Sequence, residues 1–202
     1  RRGEFMQEAV PAGEGAMAAL MGCDIETVRA VCVEASEQGV CAPANVNSPS
    51  QIVIAGHKSA VERAVELAKQ KGAKRAVMLS VSAPFHCDLM KPAAERLAPV
   101  LAEIEFADLN APLVTNVDAA IITKGSDARD ALVRQVASPV RWSESVKRLL
   151  DEGVTRFVEL GPGKVLSGLV RQVSREVKVL NVEVLNVEDA DSLDRTAGAM
   201  GF

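Results

Sequence analysis

The sequence predicts an α/β fold that includes a smaller ferredoxin-like unit. Residues 15–81 show strand and helix patterns in the order β-α-β-β-α-β, which is the ferredoxin-like arrangement. Beyond residue 82, helical and strand patterns alternate as they do around a parallel sheet. Hydrophobic residues make up 48% of the 202, so the chain can bury a core. We therefore expect the small unit to be inserted into, or packed beside, an incomplete α/β domain.

The first half of the small unit has recognisable start and stop signals. Gly15–Met21 is a short apolar run typical of a buried strand. Asp24 is placed to cap a helix whose apolar residues recur at helical spacing, and Gly39 follows the end of that helix. A second strand is predicted over 40–46.

A hairpin and a second helix complete the small unit. Asn47-Ser-Pro-Ser50 is a turn cluster that separates the second strand from a third strand over 51–55. Ser59-Ala-Val-Glu62 has the pattern of a capping box at the start of the next helix. Gly72 ends that helix, and a strand over 75–81 follows.

The remaining residues alternate between helical and strand patterns. Ser138-Pro139 is expected to end one of the helices, because the residue before a proline avoids the helical conformation. The elements predicted after the small unit are a helix over 87–104, a strand over 112–117, helices over 127–136 and 143–152, a strand over 155–160, a helix over 164–173, a strand over 177–185 and a terminal helix.

Composition and charge argue against several classes of function. The net charge of −4 and the absence of tyrosine disfavour nucleic acid as a partner. No apolar run reaches the roughly 18 residues of a transmembrane helix. The four cysteines lack the spacing of a metal site, so we interpret them as reduced core thiols and expect no metal and a cytoplasmic location. The chain does not begin with methionine, and we interpret it as a piece of a longer protein.

His86 is the leading candidate for a catalytic base. It lies in Ala83-Pro84-Phe85-His86, directly after a predicted strand and before a predicted helix. A neutral imidazole there could take a proton from a nucleophile and return it to a leaving group. Spacing alone leaves equally open that His86 is a hydrogen-bonded histidine in a cleft. The other histidine, His57, is better interpreted as a surface or cap residue.

No nucleophile is evident among the 202 residues. The Gly-x-Ser-x-Gly elbow, which presents a serine above an α/β-hydrolase sheet, is absent from the sequence. Cys87 adjoins His86, but neighbouring side chains seldom face each other, so we interpret Cys87 as structural. Gly161-Pro-Gly163 precedes a predicted helix and could bind an anion there, although a tight turn is the favoured interpretation. Arg2 could bind a carboxylate, although a lone helical arginine is usually solvated.

Together, these stretches resemble the malonyl-CoA:acyl carrier protein transacylases of type II fatty acid synthesis. The matching segments occur in family order across essentially the whole chain, which is more specific than any single motif. They are Arg2-Gly-Glu-Phe-Met-Gln7, Gly15-Ala-Met-Ala-Ala19, Asn45-Val-Asn-Ser-Pro49, Gln51-Ile-Val-Ile-Ala-Gly-His57, Pro84-Phe-His86, Leu89-Met-Lys-Pro92, Ala131-Leu-Val-Arg-Gln135, Pro139-Val-Arg-Trp142 and Glu159-Leu-Gly-Pro-Gly-Lys-Val-Leu166.

The resemblance implies roles for five residues. His86 would be the general base of a Ser-His pair, and the backbone carbonyl of Gln135 would orient its ring. Arg2 would pair with the free carboxylate of the malonyl group. Phe85 resembles the malonyl-selective form of its position, and Met6 would line the same pocket.

The resemblance also implies an architecture. An α/β-hydrolase-like domain, formed here by residues 1–14 and 82–202 and incomplete, would carry residues 15–81 as an inserted ferredoxin-like subdomain. A preceding segment with the Gly-His-Ser-x-Gly elbow and the oxyanion-hole donors is expected in the family and is not among these residues.

The implied activity is transfer of malonyl from malonyl-CoA to the phosphopantetheine thiol of acyl carrier protein, through a malonyl-serine intermediate. No cofactor is implied, because the phosphopantetheine belongs to the carrier, and the intact enzyme is expected to be a monomer. Without the serine, the chain by itself is expected to be inactive. Two alternatives remain open: a non-catalytic module that binds acyl carrier protein, and a thioesterase-like hydrolase on the same scaffold.

Overall fold

The computed structural model describes residues 1–177 and 182–201. The chain divides into two compact units, Arg1–Ser145 and Val146–Phe202. The first unit contains a four-stranded antiparallel sheet, and the second contains a pair of parallel strands. Helices accompany both sheets, so the prediction of a mixed α/β protein is confirmed.

The elements follow the predicted order closely. In chain order they are α1 (Arg2–Glu8), β1 (Gly15–Met21), α2 (Ile25–Ala35), β2 (Cys41–Ser48), β3 (Gln51–His57), α3 (Lys58–Gln70), β4 (Arg75–Met78), α4 (Lys91–Ala102), β5 (Leu113–Val114), β6 (Ile121–Ile122), α5 (Gly125–Val136), α6 (Trp142–Asp151), β7 (Arg156–Leu160), α7 (Val165–Glu176), β8 (Glu183–Val187) and α8 (Ala190–Met200). Short 3₁₀ turns at Ser36–Gln38 and Asp88–Met90 complete the list.

The four-stranded sheet has the order β2-β3-β1-β4, and every neighbouring pair is antiparallel. The predicted hairpin is confirmed, since β2 and β3 pair directly with Ala42 opposite Ala55 and Val46 opposite Ile52. The chain places β1 in the centre of the sheet between β3 and β4, although the three strands are far apart in sequence. We call β1 to β4, with α2 and α3, the βαββαβ segment.

Both faces of this sheet are buried. Side chains alternate between the faces of a strand, so each strand contributes to two different clusters. Leu20 and Ile54 pack with the inner faces of α2 and α3. Met17 and Val53 point to the other face, where they pack with Cys87, Phe85 and Leu89. The second face of the sheet is therefore covered by the chain that follows β4, including the loop that carries His86.

The predicted helix starts are partly confirmed. The Asp24 side chain accepts a hydrogen bond of 2.8 Å from the backbone N–H of Thr27, as an N-cap does. The capping box predicted at Ser59 is wrong, because α3 begins one residue earlier, at Lys58. The Ser59 hydroxyl instead donates to the carbonyl of Gln38 at 3.2 Å.

Several observed elements have other limits than the predicted ones, and most of these are shorter. The helix predicted over 87–104 is a 3₁₀ turn followed by α4, with Pro92 in the first turn, where its missing N–H is not needed. The strand predicted over 75–81 ends at Met78, and that over 112–117 is reduced to Leu113–Val114. Of the strand predicted over 177–185, residues 178–181 lie outside the described part, and β8 runs over 183–187.

The second unit is built on the parallel pair β7 and β8, with Phe157 opposite Val184. Parallel neighbours require a crossover, and α7 provides it. Asp189 caps α8 through reciprocal hydrogen bonds with Ser192. In the part of the chain that the structure describes, no helix has both the length and the apolarity to span a bilayer.

Replacing Ile54 with alanine tests the importance of the sheet. Ile54 is fully buried between β3 and the helices, so Ile54→Ala should lower the free energy of unfolding by about 2–5 kcal/mol, measured by denaturant titration. Val33→Ala is the matched control, because Val33 is 75% exposed and its truncation should change stability by less than about 0.5 kcal/mol. Equal losses in both variants would contradict this assignment of the core.

Candidate active site

The loop that carries His86 is fixed by buried neighbours. Ala83, Pro84 and Cys87 are buried around the half-buried histidine. The Pro84 ring packs directly on Gly15 of β1, where an added Cβ would lie 2.4 Å from two ring carbons. His86 itself has a φ of +63°, a left-handed backbone conformation that few non-glycine residues adopt. The sheet therefore determines where the histidine lies, and the unusual φ helps to set the direction of its side chain.

The His86 ring is oriented by one backbone carbonyl. Its Nδ1 atom lies 3.0 Å from the carbonyl oxygen of Gln135. Because a carbonyl oxygen can only accept, Nδ1 must carry the hydrogen of a neutral ring. The lone pair of that ring is then on Nε2, the nitrogen that a general base uses. The predicted pairing of His86 with the Gln135 carbonyl is present in the structure.

The Gln135 carbonyl is free to accept because it lies in the last turn of α5. The last four carbonyls of a helix have no partner within the helix. The Gln135 side chain folds back, and its Nε2 donates to the carbonyls of Ser138 at 2.9 Å and Pro139 at 3.3 Å. Val140, which follows Pro139, donates its backbone N–H to the carbonyl of Ala44 in β2 at 2.8 Å. The helix end that orients His86 is therefore attached to the edge of the same sheet.

Ion pairs hold α5 in position. The guanidinium of Arg134 binds both carboxylate oxygens of Asp118, at 2.7 and 2.8 Å. It also binds Asp130 one turn earlier at 2.6 Å. Two-pronged arginine–carboxylate contacts have a fixed geometry, so they restrict rotation of the helix as well as its position. Arg134 is adjacent to Gln135, and its contacts therefore stabilise the carbonyl that His86 meets.

Helix α1 places Arg2 close enough to His86 for its charge to affect the imidazole. Phe5 and Met6 of α1 are buried against α4 in a cluster that also includes Phe85. The Gln7 side chain donates to the carbonyl of Ser82 at 3.4 Å and links α1 to the histidine loop. Arg2 is exposed, and it makes no hydrogen bond or ion pair with any residue that the structure describes. Its guanidinium is therefore available to a ligand.

The pKa of His86 is held below its ordinary value. Burial is the main cause, because it disfavours the charged ring. The hydrogen bond to the Gln135 carbonyl opposes this effect, and the positive charge of Arg2 lowers the pKa further. The Ser138 carbonyl raises it slightly in the same way as Gln135. The net effect keeps the ring neutral, which is the state that accepts a proton.

The other sequence candidates have structural partners. His57 occupies the N-cap position of α3, but its side chain makes no hydrogen bond to that helix. Its Nδ1 instead accepts the backbone N–H of Val40 at 2.9 Å. The Cys87 thiol is buried and donates to the carbonyl of Pro84 at 3.2 Å, and burial raises its pKa to about 11. A thiol with that pKa is a poor nucleophile at neutral pH.

The turn at Gly161–Gly163 is not an open anion site. The carboxylate of Glu159 accepts hydrogen bonds from the backbone N–H groups of Leu166 and Ser167, at 3.1 and 2.7 Å. Glu188 accepts from the N–H of Gly163 at 2.9 Å. The N-terminus of α7 is therefore already occupied by the protein's own carboxylates, which favours the interpretation as a tight turn.

Sequence reasoning missed the residues that support the site. Gly15 contacts Pro84, Ser82 accepts from Gln7, Asp118 binds Arg134, and the Ser138 carbonyl accepts from Gln135. Small and acidic residues of this kind are common in loops and strands, so their spacing gave no signal. The packing of distant elements brings Gly15 to Pro84 and Ser82 to Gln7.

Curated relatives match most of the chain. It is 52% identical over 183 residues to a malonyl CoA-acyl carrier protein transacylase of Bacillus subtilis, covering 90% of this chain and 58% of that protein. It is 52% identical over 189 residues to the protein of that name in Escherichia coli, covering 94% of this chain and 60% of the relative. The chain thus spans about 60% of the length of the curated relatives it matches.

Solved structures and a family profile agree with this similarity. An acyl carrier protein S-malonyltransferase of Vibrio cholerae superposes with a TM-score of 0.90 at 49% identity, covering 96% of this chain and 62% of that one. A malonyl-transacylase in complex with a type II PKS acyl-carrier protein gives a TM-score of 0.92 at 46% identity, covering 98% and 62%. The profile described as an acyl transferase domain matches residues 1–195. The chain therefore belongs to the acyl transferase domain family.

Proposed function

We propose that this chain carries the general base and the carboxylate-binding arginine of a malonyltransferase. The reaction would move malonyl from malonyl-CoA to the phosphopantetheine thiol of acyl carrier protein. The observation that carries the proposal is the contact between His86 Nδ1 and the Gln135 carbonyl, with the unpaired charge of Arg2 acting on the same ring. The names of the relatives and of the solved neighbours support the same activity.

His86 would act twice as the base. In the first half-reaction its Nε2 takes the proton from a serine hydroxyl while that oxygen attacks the thioester carbon of malonyl-CoA. The proton then passes to the sulfur of CoA as it leaves, and a malonyl-serine ester remains. In the second half-reaction the ring takes the proton from the carrier's thiol, and the thiol sulfur attacks the carbonyl carbon of the ester. The bond to the serine oxygen breaks, and the ring returns the proton to that oxygen. The Gln135 carbonyl holds the ring in the required tautomer throughout.

Arg2 would select the acyl group. A guanidinium can bind both oxygens of a carboxylate, and malonyl has a free carboxylate that acetyl lacks. Arg2 is exposed and unpaired among the described residues, so no internal ion pair has to break before the substrate binds. The bound carboxylate would also reduce the repulsion between Arg2 and a protonated His86. Substrate binding would thus favour proton acceptance at the moment it is needed.

Phe85 and Met6 would shape the acyl pocket. Both belong to the cluster between α1, α4 and the histidine loop, and Phe85 is the residue directly before the base. A phenyl ring there would crowd an α-methyl branch and favour malonyl over methylmalonyl. Met6 is 5% exposed, so its part would be to support Phe85 and to complete the wall of the pocket.

The nucleophile in this proposal is a serine on a Gly-His-Ser-x-Gly elbow, which these 202 residues do not contain. The family resemblance assigns that elbow and the oxyanion-hole donors to a preceding segment. The chemistry requires only a base, a nucleophile and backbone donors, so no cofactor is invoked beyond the phosphopantetheine on the carrier. A monomeric enzyme in the cytoplasm, with no nucleic acid or membrane partner, completes the proposal.

For the architecture we propose the division that the family resemblance implies. Residues 15–81 would be a ferredoxin-like subdomain, and residues 1–14 and 82–202 would belong to an α/β-hydrolase-like domain. The strand order β2-β3-β1-β4 with antiparallel neighbours supports the first part. The parallel pair β7 and β8, with its helical crossover, supports the second.

The direct test joins the leading part of the Escherichia coli relative to this chain and measures malonyl transfer. We expect transfer in the chimaera and a loss of about 100- to 10,000-fold in its His86→Ala variant, with the fold unchanged by circular dichroism. His57→Ala is the matched control and should retain most of the rate. Near-normal transfer in His86→Ala would refute the proposed base, and malonyl release to water at the rate of transfer would favour a thioesterase.

The pH dependence follows from the environment of His86. Its pKa is lowered, so the neutral base should persist below the ordinary histidine value of about 6.5, and the acid limb of kcat/KM should fall below that pH. Arg2→Gln removes a positive charge and should move the limb to higher pH, whatever its effect on the maximal rate. Arg1→Gln should leave the limb unchanged, because Arg1 is paired with Glu4. A limb that does not move in Arg2→Gln would contradict the electrostatic link.

Selectivity tests the role of Arg2. Arg2→Ala should reduce the preference for malonyl-CoA over acetyl-CoA by about 10- to 100-fold, the value of hydrogen bonds to a charged group. The comparison is the ratio of kcat/KM for the two donors, which cancels any general loss of activity. The neighbouring Arg1→Ala serves as the control and should keep the ratio. An unchanged ratio in Arg2→Ala would mean that another residue binds the carboxylate.

A further inference from the structure

Two cysteines that the proposed reaction does not use are in contact inside the βαββαβ segment. Cys32 lies on the inner face of α2, and Cys41 is the first residue of β2. Their sulfur atoms are 3.6 Å apart, and both side chains are buried, with exposures of 3% and 8%. Among the described residues, no other two cysteines make a sulfur–sulfur contact.

We propose that Cys32 and Cys41 form an oxidative modification site, at which a hydroperoxide converts the two thiols into a disulfide within the folded chain. The sulfurs would have to approach from 3.6 Å to a bond length of about 2.05 Å, which is a shift within the range of side-chain rotation. The proposal concerns the thiols alone and does not depend on the malonyltransferase activity.

The backbone on either side of the pair is already tied together. The Ser36 hydroxyl donates to the carbonyl of Cys32 at 2.7 Å and lies 3.5 Å from the carbonyl of Cys41. A 3₁₀ turn at Ser36–Gln38 connects the end of α2 to β2. The connection is short and hydrogen-bonded, so the two cysteines cannot drift apart without breaking local structure. Because the cysteines are held together, the second step, attack by the partner thiol, becomes favourable.

With hydrogen peroxide as the hydroperoxide and the only oxidant, the reaction balances. The Cys41 thiolate attacks one peroxide oxygen, forms a sulfenic acid and releases hydroxide. The Cys32 sulfur then attacks the Cys41 sulfur, the S–S bond forms, and the sulfenic oxygen leaves as hydroxide. Protons from the two thiols turn both hydroxides into water. Two thiols lose two electrons in total, and the two peroxide oxygens gain them.

Cys41 is the better candidate for the first step. It starts an edge strand of the sheet and is the more exposed member of the pair, so a peroxide reaches it more easily. The contact with the Cys32 sulfur lowers the pKa of Cys41, while the contact with Cys41 and burial raise the pKa of Cys32. By contrast, burial raises the pKa of Cys23 and that of Cys87. These two thiols provide internal controls.

The test treats the native 202-residue chain with hydrogen peroxide, blocks the remaining thiols by alkylation and maps the peptides by mass spectrometry. We expect the loss of two of the four free thiols, a mass decrease of about 2 Da before alkylation, and a single linked peptide pair containing Cys32 and Cys41. Dithiothreitol should restore all four thiols. Retention of four thiols, or a link that involves Cys23 or Cys87, would overturn the proposal.

Alanine variants of the cysteines test whether the disulfide depends on the contact between Cys32 and Cys41 or on the general reactivity of the thiols. Cys23→Ala and Cys87→Ala should form the same linked peptide at the same rate as the unmodified sequence. Cys41→Ala and Cys32→Ala should form no intramolecular disulfide, and Cys32→Ala should instead accumulate the Cys41 sulfenic acid, which dimedone traps. Should either alanine variant fail to fold, the peptide map of the unmodified sequence decides alone. Formation of the link only in denaturant would also overturn the proposal, because it would show that the folded contact is not what permits it.

Discussion

Burial of both faces of the four-stranded sheet is the constraint on which the candidate site depends. Two helices cover one face, as the amphipathic pattern of their residues requires. The other face carries Met17, Ala19, Val53 and Ala55, which would be exposed to water without a cover. The chain after β4 provides that cover with Cys87 and its neighbours, and His86 is held at the edge of this packed layer. The position of His86 is thus a consequence of hydrophobic burial.

The same sheet also fixes the position of the Gln135 carbonyl, which contacts the His86 ring. Val140 pairs with β2, so the C-terminal end of α5 is attached to the sheet only a few residues after Gln135. One rigid element therefore positions both partners of the hydrogen bond between His86 and the Gln135 carbonyl. A contact of 3.0 Å between a loop and the end of a distant helix would be difficult to maintain in any other way.

Arg134 and Arg2 differ in whether carboxylates of the protein pair with their guanidinium groups. Arg134 binds two carboxylates and serves to hold α5, whereas Arg2 is unpaired among the described residues and repels a charged His86. Arg134 is neutralised by its two carboxylates, whereas Arg2 is exposed. Under the proposed function, the carboxylate of a ligand would bind Arg2.

The sequence by itself determined the class of elements and their approximate limits. Period-2 and helical spacing, the Asp24 cap and the turn at Asn47–Ser50 are local signals, since each depends on residues a few positions apart. The ordered family segments also pointed to His86, Gln135 and Arg2 as candidate site residues. Errors arose where local rules compete with packing, as at Ser59, which resembles a capping residue but donates to Gln38 instead. The family resemblance implied the pairing of His86 with the Gln135 carbonyl, and the structure gives its geometry. Only the tertiary structure decided the contacts between Gly15 and Pro84 and between Cys32 and Cys41. These contacts depend on strand pairing and burial, and no local pattern records which elements pack together.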